Sequence, residues 1–278
     1  MRKHALAISV FILSVVGSAQ SPPPDYREEV AKWRQAVEAD LTKDRGWLTV
    51  VGLVWLKDGE TIQLAPGPGT HMQIPAPAGV ESVGFVTRNG DKLTGKVAGG
   101  ETAEFSELTY GSVTMVPIRR GSRVGLRVFD TASAAKRDFV GCKWFPVDEK
   151  LVIRAKYVAY DKPREMQITN VLGDTAPVAN PGYVEFTLSG KKCRLEAQDA
   201  GNGLFFNFRD LTSGKATYPA GRFLDADKPV DGIVTLDFNR ATNPPCAFTA
   251  FATCPLPPAS NVLKVAIRAG ELVHHPAE

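Results

Sequence analysis

Beyond Gly46 the apolar residues of this chain recur at every second position, in short runs broken by turn residues about every ten positions. Alternation of that kind places successive side chains on opposite faces of a strand, so one face can be buried while the other meets water. The run Gly46-Trp47-Leu48-Thr49-Val50-Val51-Gly52-Leu53 opens this region. Arg88-Asn89-Gly90-Asp91 separates Val83–Thr87 from Lys92–Val97, and Asn-Gly tolerates positive φ at turn centres, which predicts a tight hairpin. Gly121-Ser122 likewise divides Val113–Arg119 from Arg123–Phe129, and Ser189-Gly190-Lys191-Lys192 divides Tyr183–Leu188 from Cys193–Ala197. Leu204–Arg209, Gly232–Phe238 and Val262–Arg268 complete the expected strands. No stretch after residue 45 carries a helical period. The expectation is an all-β protein, sandwich-like or barrel-like, in two β subdomains over 46–160 and 161–278. The division is placed at Asp161-Lys162-Pro163-Arg164, while 66–80 reads as a long loop.

One helix precedes the strands. Tyr26, Val30, Trp33, Val37 and Leu41 form a single apolar stripe at spacings of four and three, with charged residues on the other faces. Asp25 followed by Glu28 resembles a capping box, and the helix is expected to cover a sheet or its edge. Residues 20–45 are therefore read as spacer and N-terminal amphipathic α-helix.

The first nineteen residues read as a secretory signal. Arg2, Lys3 and His4 precede the apolar run Ala5–Val16, and Gly17-Ser18-Ala19 supplies small residues for cleavage before Gln20. The run is shorter than the roughly 20 residues that span a bilayer, so no transmembrane segment is expected after cleavage. A periplasmic or secreted protein follows. The formal charge is +3, and two of those charges belong to Arg2 and Lys3, so the remaining chain is nearly neutral. Nucleic-acid binding needs a basic face that neutralises phosphates, and no such partner is expected. Arg119, Arg120, Arg123 and Arg127 are the one local basic group, and their alternation with Val124, Leu126 and Val128 reads as a solvated strand face in preference to an anion site.

Residues 221–258 are the densest in unusual polar and constrained residues. In 234–239 the period of two puts Leu236 and Phe238 on one face and Asp237 and Asn239 on the other; Arg240 and Asn243 then lead into Pro244-Pro245. Two prolines stiffen the loop and keep it out of a sheet interior. Arg222, Asp237, Asn239, Arg240 and Asn243 thus form a candidate pocket for a small polar or anionic ligand, with Arg222 as a planar donor. Asp237 is the candidate acid or base if the protein is a hydrolase. Two other readings compete: internal salt bridges joining Arg222 to Asp237 and pinning Arg240, and a structural or interaction module braced by prolines. Cys246 and Cys254, eight apart among prolines, are placed to form a disulfide in an oxidising compartment, whereas Cys193 alternates with Leu195 and Ala197 as a buried apolar residue.

Several pieces of the chain resemble a bacterial family catalogued as domain of unknown function 1684. They are Gly46-Trp47-Leu48, Val51-Gly52-Leu53, Trp55-Leu56, Thr212-Ser213-Gly214, Thr217-Tyr218, Gly221-Arg222-Phe223-Leu224, Asp237-Phe238-Asn239-Arg240, Asn243-Pro244-Pro245-Cys246-Ala247-Phe248, Cys254-Pro255-Leu256-Pro257-Pro258 and Ala269-Gly270-Glu271. The resemblance spans essentially the whole mature chain and implies no established activity. Family members with and without signals keep both loop cysteines, which leaves a packing role open beside the disulfide. Residues 48–130 are also faintly similar to forkhead-associated β sandwiches in strand rhythm, without the Ser-x-x-His that would carry phosphopeptide binding.

Familiar catalytic machinery is scarce. His71 lies in the Pro/Gly-rich loop, His274 and His275 lie in a tail expected to fray, and no Gly-x-Ser-x-Gly elbow supplies a nucleophile. Metal-ligand spacing is missing, and no dinucleotide or phosphate-loop motif stands up, so no metal or cofactor is expected. Asp210, Asp225, Asp227 and Asp237 remain as carboxylates from which a glycosidase pair could be drawn. Neither a particular ligand nor an oligomeric state is implied.

Overall fold

The computed structural model describes residues 25–67, 72–74, 79, 81–97, 100–104 and 106–274. Residues 1–24, with the run read as a secretory signal, much of the 66–80 loop, His71 and His275 lie outside the described residues.

Helix α1 spans Tyr26–Thr42, and Tyr26, Val30 and Leu41 of the stripe are buried while Trp33 and Val37 are half-buried. The capping box does not form. Asp25 sits at φ −98°, ψ 6° and its side chain makes no cap bond, because that backbone lacks the extended geometry that turns an N-cap oxygen toward the helix amides. The chain then turns through a 3₁₀ segment, Trp47–Thr49, where a strand start is expected from sequence, and Thr49 Oγ1 donates to the Gly46 carbonyl at 2.8 Å.

Strands β1 (Val50–Leu56), β2 (Thr61–Pro66), β3 (Met72–Gln73), β4 (Gly84–Asn89), β5 (Lys92–Val97), β6 (Ala103–Glu104), β7 (Leu108–Tyr110), β8 (Val113–Arg120) and β9 (Arg123–Asp130) build the first unit. They form two antiparallel sheets, β1-β9-β8-β7 and β3-β2-β4-β5-β6, around Leu64, Val86, Met115 and Leu126. The β4–β5 hairpin is present, with Asn89 paired to Lys92, so that the loop is Gly90-Asp91 and only Gly90 takes positive φ.

After a short helix α2 (Ala134–Arg137) the second unit follows: β10 (Val152–Thr169), β11 (Thr175–Leu188), β12 (Lys191–Glu196), β13 (Gln198–Asp199), β14 (Gly203–Phe208), β15 (Arg222–Asp227) and β16 (Ile233–Asp237). Sheets β12-β11-β10-β16 and β13-β14-β15 enclose a core containing Val184, Leu195, Phe206, Phe208, Leu236 and Phe238. All-β with one N-terminal helix is the architecture. Among the described residues no helix is long and apolar enough to cross a membrane.

Residues 161–164 lie inside β10. There the ladder steps from Ala159–Gly182 to Arg164–Asn180, so a bulge opens opposite Pro181. Pro163 and Pro181 lack N–H donors, which explains why pairing lapses there while the strand continues. The two large cores instead divide between Val128 and Leu151. A third, small cluster joins the units: Leu41 of α1, Leu48, and Ala247 and Phe248 of the Pro-rich loop.

Val262–Arg268 is not a strand. Leu263, Val265, Ile267 and Ala269 are buried in alternation with exposed neighbours, as the period of two predicts, but the segment joins no sheet ladder. Side chains and loop backbone satisfy it instead. Leu211 N donates to Val265 O at 2.9 Å, and Ile267 N donates to Asp210 Oδ2 at 3.0 Å.

Candidate functional site

The side chains singled out in 222–243 do not share one pocket. Arg222 is only 1 % exposed, and its guanidinium is consumed by Asp210 Oδ2 at 2.9 Å, by the Ile267 carbonyl at 3.0 Å and by the Ala269 carbonyl. It has no free donor edge for a ligand, and its ionic partner is Asp210 rather than Asp237. Asn239 is fully buried. Its amide donates to Tyr26 Oη at 2.9 Å and to the Asp148 carbonyl at 2.8 Å, and its Oδ1 accepts from Asp148 N at 2.9 Å. Asp237 accepts from Tyr26 Oη at 2.7 Å and pairs with Arg240 at 3.1 Å. Burial and the Asp237 carboxylate push the Tyr26 phenol above its ordinary range. These residues fasten α1 to the end of β16. Asp237 is held as an acceptor by the Tyr26 hydroxyl and the Arg240 guanidinium.

Asn243 belongs elsewhere. With Pro245 and Phe248 it borders a cleft of about 600 Å³ between the two units. Trp33 and Leu41 of α1 form one wall, Trp47 and Arg127 of the first unit another, and Phe223, Asp225 and Glu271 of the second unit the third. Local geometry explains each placement. Gly46 turns the chain tightly off the end of α1, where any Cβ would collide with the carbonyl oxygens of Asp40 and Leu41, and this brings Trp47 to the rim. Gly270 adopts φ +76°, and a Cβ there would come within 2.8 Å of the Phe238 carbonyl. That left-handed residue delivers Glu271, whose N–H bonds the Ala241 carbonyl at 2.8 Å.

Glu271 is 1 % exposed. Its Oε2 accepts from Asn243 N at 2.7 Å, whereas Oε1 has no hydrogen bond in acceptable geometry, although the Cys142 thiol lies beside the carboxyl. Burial pushes its pKa up to about 7. Asn243 Nδ2 donates to Leu272 O at 2.8 Å, and its buried Oδ1, beside the Glu271 carboxyl, has no hydrogen bond in acceptable geometry among the described residues. Arg127 stacks on Trp47 with the guanidinium carbon 4.9 Å from the ring centre. Its Nε and Nη2 are sealed from solvent and have no hydrogen-bond partner among the described residues, and burial, with Arg120 nearby, holds its pKa below the usual arginine range. Asp225 stands exposed at the mouth, its carboxyl raised by the cleft walls.

The arginine group reads differently in three dimensions. Arg119 pairs with Asp91, Arg123 with Asp174, and Arg120 donates to Thr253 Oγ1, while Arg127 alone turns into the cleft, half-buried. Of the four carboxylates weighed for glycoside cleavage, only Asp225 reaches the cleft; Asp210 is sealed against Arg222. Sequence reasoning missed Glu271, although it continues the buried phase of Leu263, Val265, Ile267 and Ala269, where a carboxylate is out of place. Arg127 reads in the sequence as part of a solvated strand face, because alternation assigns a face and does not say what covers it. His274 does not fray: its ring packs 4.8 Å from Phe248 and 6.1 Å from Phe139, beside a separate hollow. Among the described residues no group of three or more His, Cys, Asp or Glu could hold a metal. Cys246 and Cys254 form a disulfide, with Cα atoms 6.3 Å apart, while Cys193 is free and buried.

Fold and cleft define a β protein of two units with a polar, aromatic-walled groove at their seam. The chain belongs to the family described as "Protein of unknown function (DUF1684)", whose model matches residues 137–272. That stretch holds the second unit with Asn243 and Glu271, and Gly46-Trp47 lies before it. Among solved structures, the chain is similar to an uncharacterised protein of Haloarcula marismortui studied by solution NMR. The two are 33 % identical over 49 % of this chain and 78 % of that one, with a TM-score of 0.42. No curated protein matches.

Proposed function

We propose that the protein binds a small polar ligand in the cleft beside the Pro-rich loop. The observation that carries this reading is the cleft of about 600 Å³ itself, walled by the Trp33 and Trp47 rings, with the half-buried Arg127 and the exposed Asp225 among its lining residues. The cleft's size suits a metabolite, and mixed aromatic and polar walls are what such sites use. A metabolite screen by thermal shift on the chain beginning at Gln20 tests it. Compounds that bind should raise the melting temperature of the wild type and leave folded Trp47→Ala unmoved. If no compound distinguishes the two proteins, the cleft is not a ligand site.

Export is part of the same proposal. It is supported by the signal-like first nineteen residues and by the Cys246–Cys254 disulfide, which suits an oxidising compartment. Mass measurement of the protein recovered from periplasm or medium should give a chain starting at Gln20. Recovery from the cytoplasm with Met1 intact would refute it.

A further inference from the structure

The loop from Cys246 to Cys254 touches both units. Toward the first, Thr249 Oγ1 donates to the Val50 carbonyl of β1 at 2.9 Å, and Arg120 Nε of β8 donates to Thr253 Oγ1 at 3.0 Å. Toward the second, Tyr218 Oη donates to the Cys246 carbonyl at 3.0 Å. Val171 N, in the turn between β10 and β11, donates to the Cys254 carbonyl at 3.0 Å. Ala247 and Phe248 pack with Leu41 of α1 and Leu48 at the same junction. The loop is thus a latch across the seam, and the disulfide joins its two ends.

The flanks are held without that bond. Pro244 and Pro245 stiffen one side, and Pro255, Pro257 and Pro258 the other. Asn207 Nδ2 donates to the Pro255 carbonyl at 2.8 Å, and Leu256 N donates to the Thr169 carbonyl at 2.8 Å, both within the second unit.

The two sulfurs are not equivalent. Cys246 is half-buried whereas Cys254 is 5 % exposed, so an attacking thiolate reaches Cys246 first. Cys254 Sγ accepts the Cys246 N–H at 3.2 Å, and a hydrogen bond to sulfur favours the thiolate, which makes Cys254 the leaving group. Cys142 packs against the same apolar cluster, but burial and the Glu271 carboxyl beside it keep it a thiol. The attacking sulfur therefore comes from another molecule.

We propose that Cys246 is a thiol–disulfide exchange site, and that its reduction by a dithiol releases the 246–254 loop as a latch between the units. One thiolate of the dithiol bonds to Cys246 Sγ. The Cys246–Cys254 bond breaks, and its electron pair leaves with Cys254, which takes a proton. The second thiolate of the dithiol then bonds to its own first sulfur and expels Cys246, which takes the second proton. Two electrons and two protons reach the protein, and the dithiol ends as a disulfide. Pro245 and Phe248 line the cleft, so release of the loop withdraws one of its walls. The exchange site does not depend on what the cleft binds.

Hydrogen exchange of the chain from Gln20, followed by mass before and after dithiothreitol in native buffer, tests this. Reduction should speed exchange at Val171 and through 246–254 by about thirtyfold or more, the factor set by closure of so short a loop. Strands β14 and β16 should stay unchanged. An equal rise throughout both units, or no rise at 246–254 once the bond is reduced, overturns the latch. A bond that dithiothreitol opens only on unfolding overturns the exchange site. Cys246→Ser and Cys254→Ser each leave one cysteine in the loop, which locates the attacked sulfur. The lone Cys246 should take up glutathione from glutathione disulfide about tenfold faster than the lone Cys254, because access governs the rate. Equal rates, or a faster Cys254, overturn the assignment of Cys246.

Discussion

Arg222 and Asp210 meet at 2.9 Å beneath the C-terminal segment, and together they serve both backbone groups of Ile267. Asp210 Oδ2 accepts the Ile267 N–H at 3.0 Å, and Arg222 Nη2 donates to the Ile267 carbonyl at 3.0 Å. A buried extended segment with no strand beside it would strand its polar groups. Here an ion pair takes the place of the missing strand.

Removing one member leaves the other charged and sealed. Arg222→Ala should therefore cost about 3–5 kcal/mol in urea unfolding, the usual cost of breaking a buried pair. Arg222→Lys should recover part of that, because an ammonium cannot reproduce the planar fork. A loss under about 1 kcal/mol for Arg222→Ala would mean that the pair does not hold the segment.

The Glu271 carboxyl gives the protein a pH signature. Its pKa rises from 4.5 to about 7 on folding, so between those values the folded state holds a proton that the unfolded chain releases. Stability contributed by this group is whole below pH 4.5 and declines as pH rises to about 7, by roughly 3 kcal/mol in linkage terms. Glu271→Gln should remove that decline, flattening the curve between pH 5 and 8. Parallel melting curves for the two proteins across that range would contradict the assignment.

The Cys246–Cys254 bond closes a short loop, and its loss should cost about 2–3 kcal/mol by loop-closure entropy. Alkylation of the unfolded chain should label Cys142 and Cys193 without reductant and all four cysteines after it. Labelling of all four at the outset would show the bond unformed.

Tyr26 ties the helix to the second unit through Asp237 and Asn239. Tyr26→Phe should cost about 1–2 kcal/mol, since it strips a partner from two polar groups. Hydrogen exchange should quicken in α1 before it does in β16. Equal protection of α1 in both proteins would place the helix anchor in its apolar stripe alone.

How far the chain could be read depended on the range of each interaction. The hairpins at Gly90, Gly121 and Ser189-Gly190, the stripe of α1 and the burial of Cys193 follow from neighbours within a few positions, and those were legible. The bulge at Pro163 carries the same residues as a linker, so its sequence predicts a boundary where the structure continues β10. The polar residues of 222–243, which alternation and the prolines set close together in the sequence, are spread over separate surroundings in the fold. Arg222 and Asp237 stand on different sheets, and nothing local says which carboxylate an arginine will meet.

Composition and period by themselves determined a β protein with one amphipathic helix, the turns between its strands, and a proline-stiffened loop carrying two cysteines. These are properties of φ, ψ and side-chain alternation, set residue by residue. Tertiary structure alone decided that Arg222 would bind Asp210, that Arg127 would lean on Trp47, and that Glu271 would arrive beside Asn243. Those contacts join residues far apart in the chain, and their partners are chosen by which groups burial leaves without water.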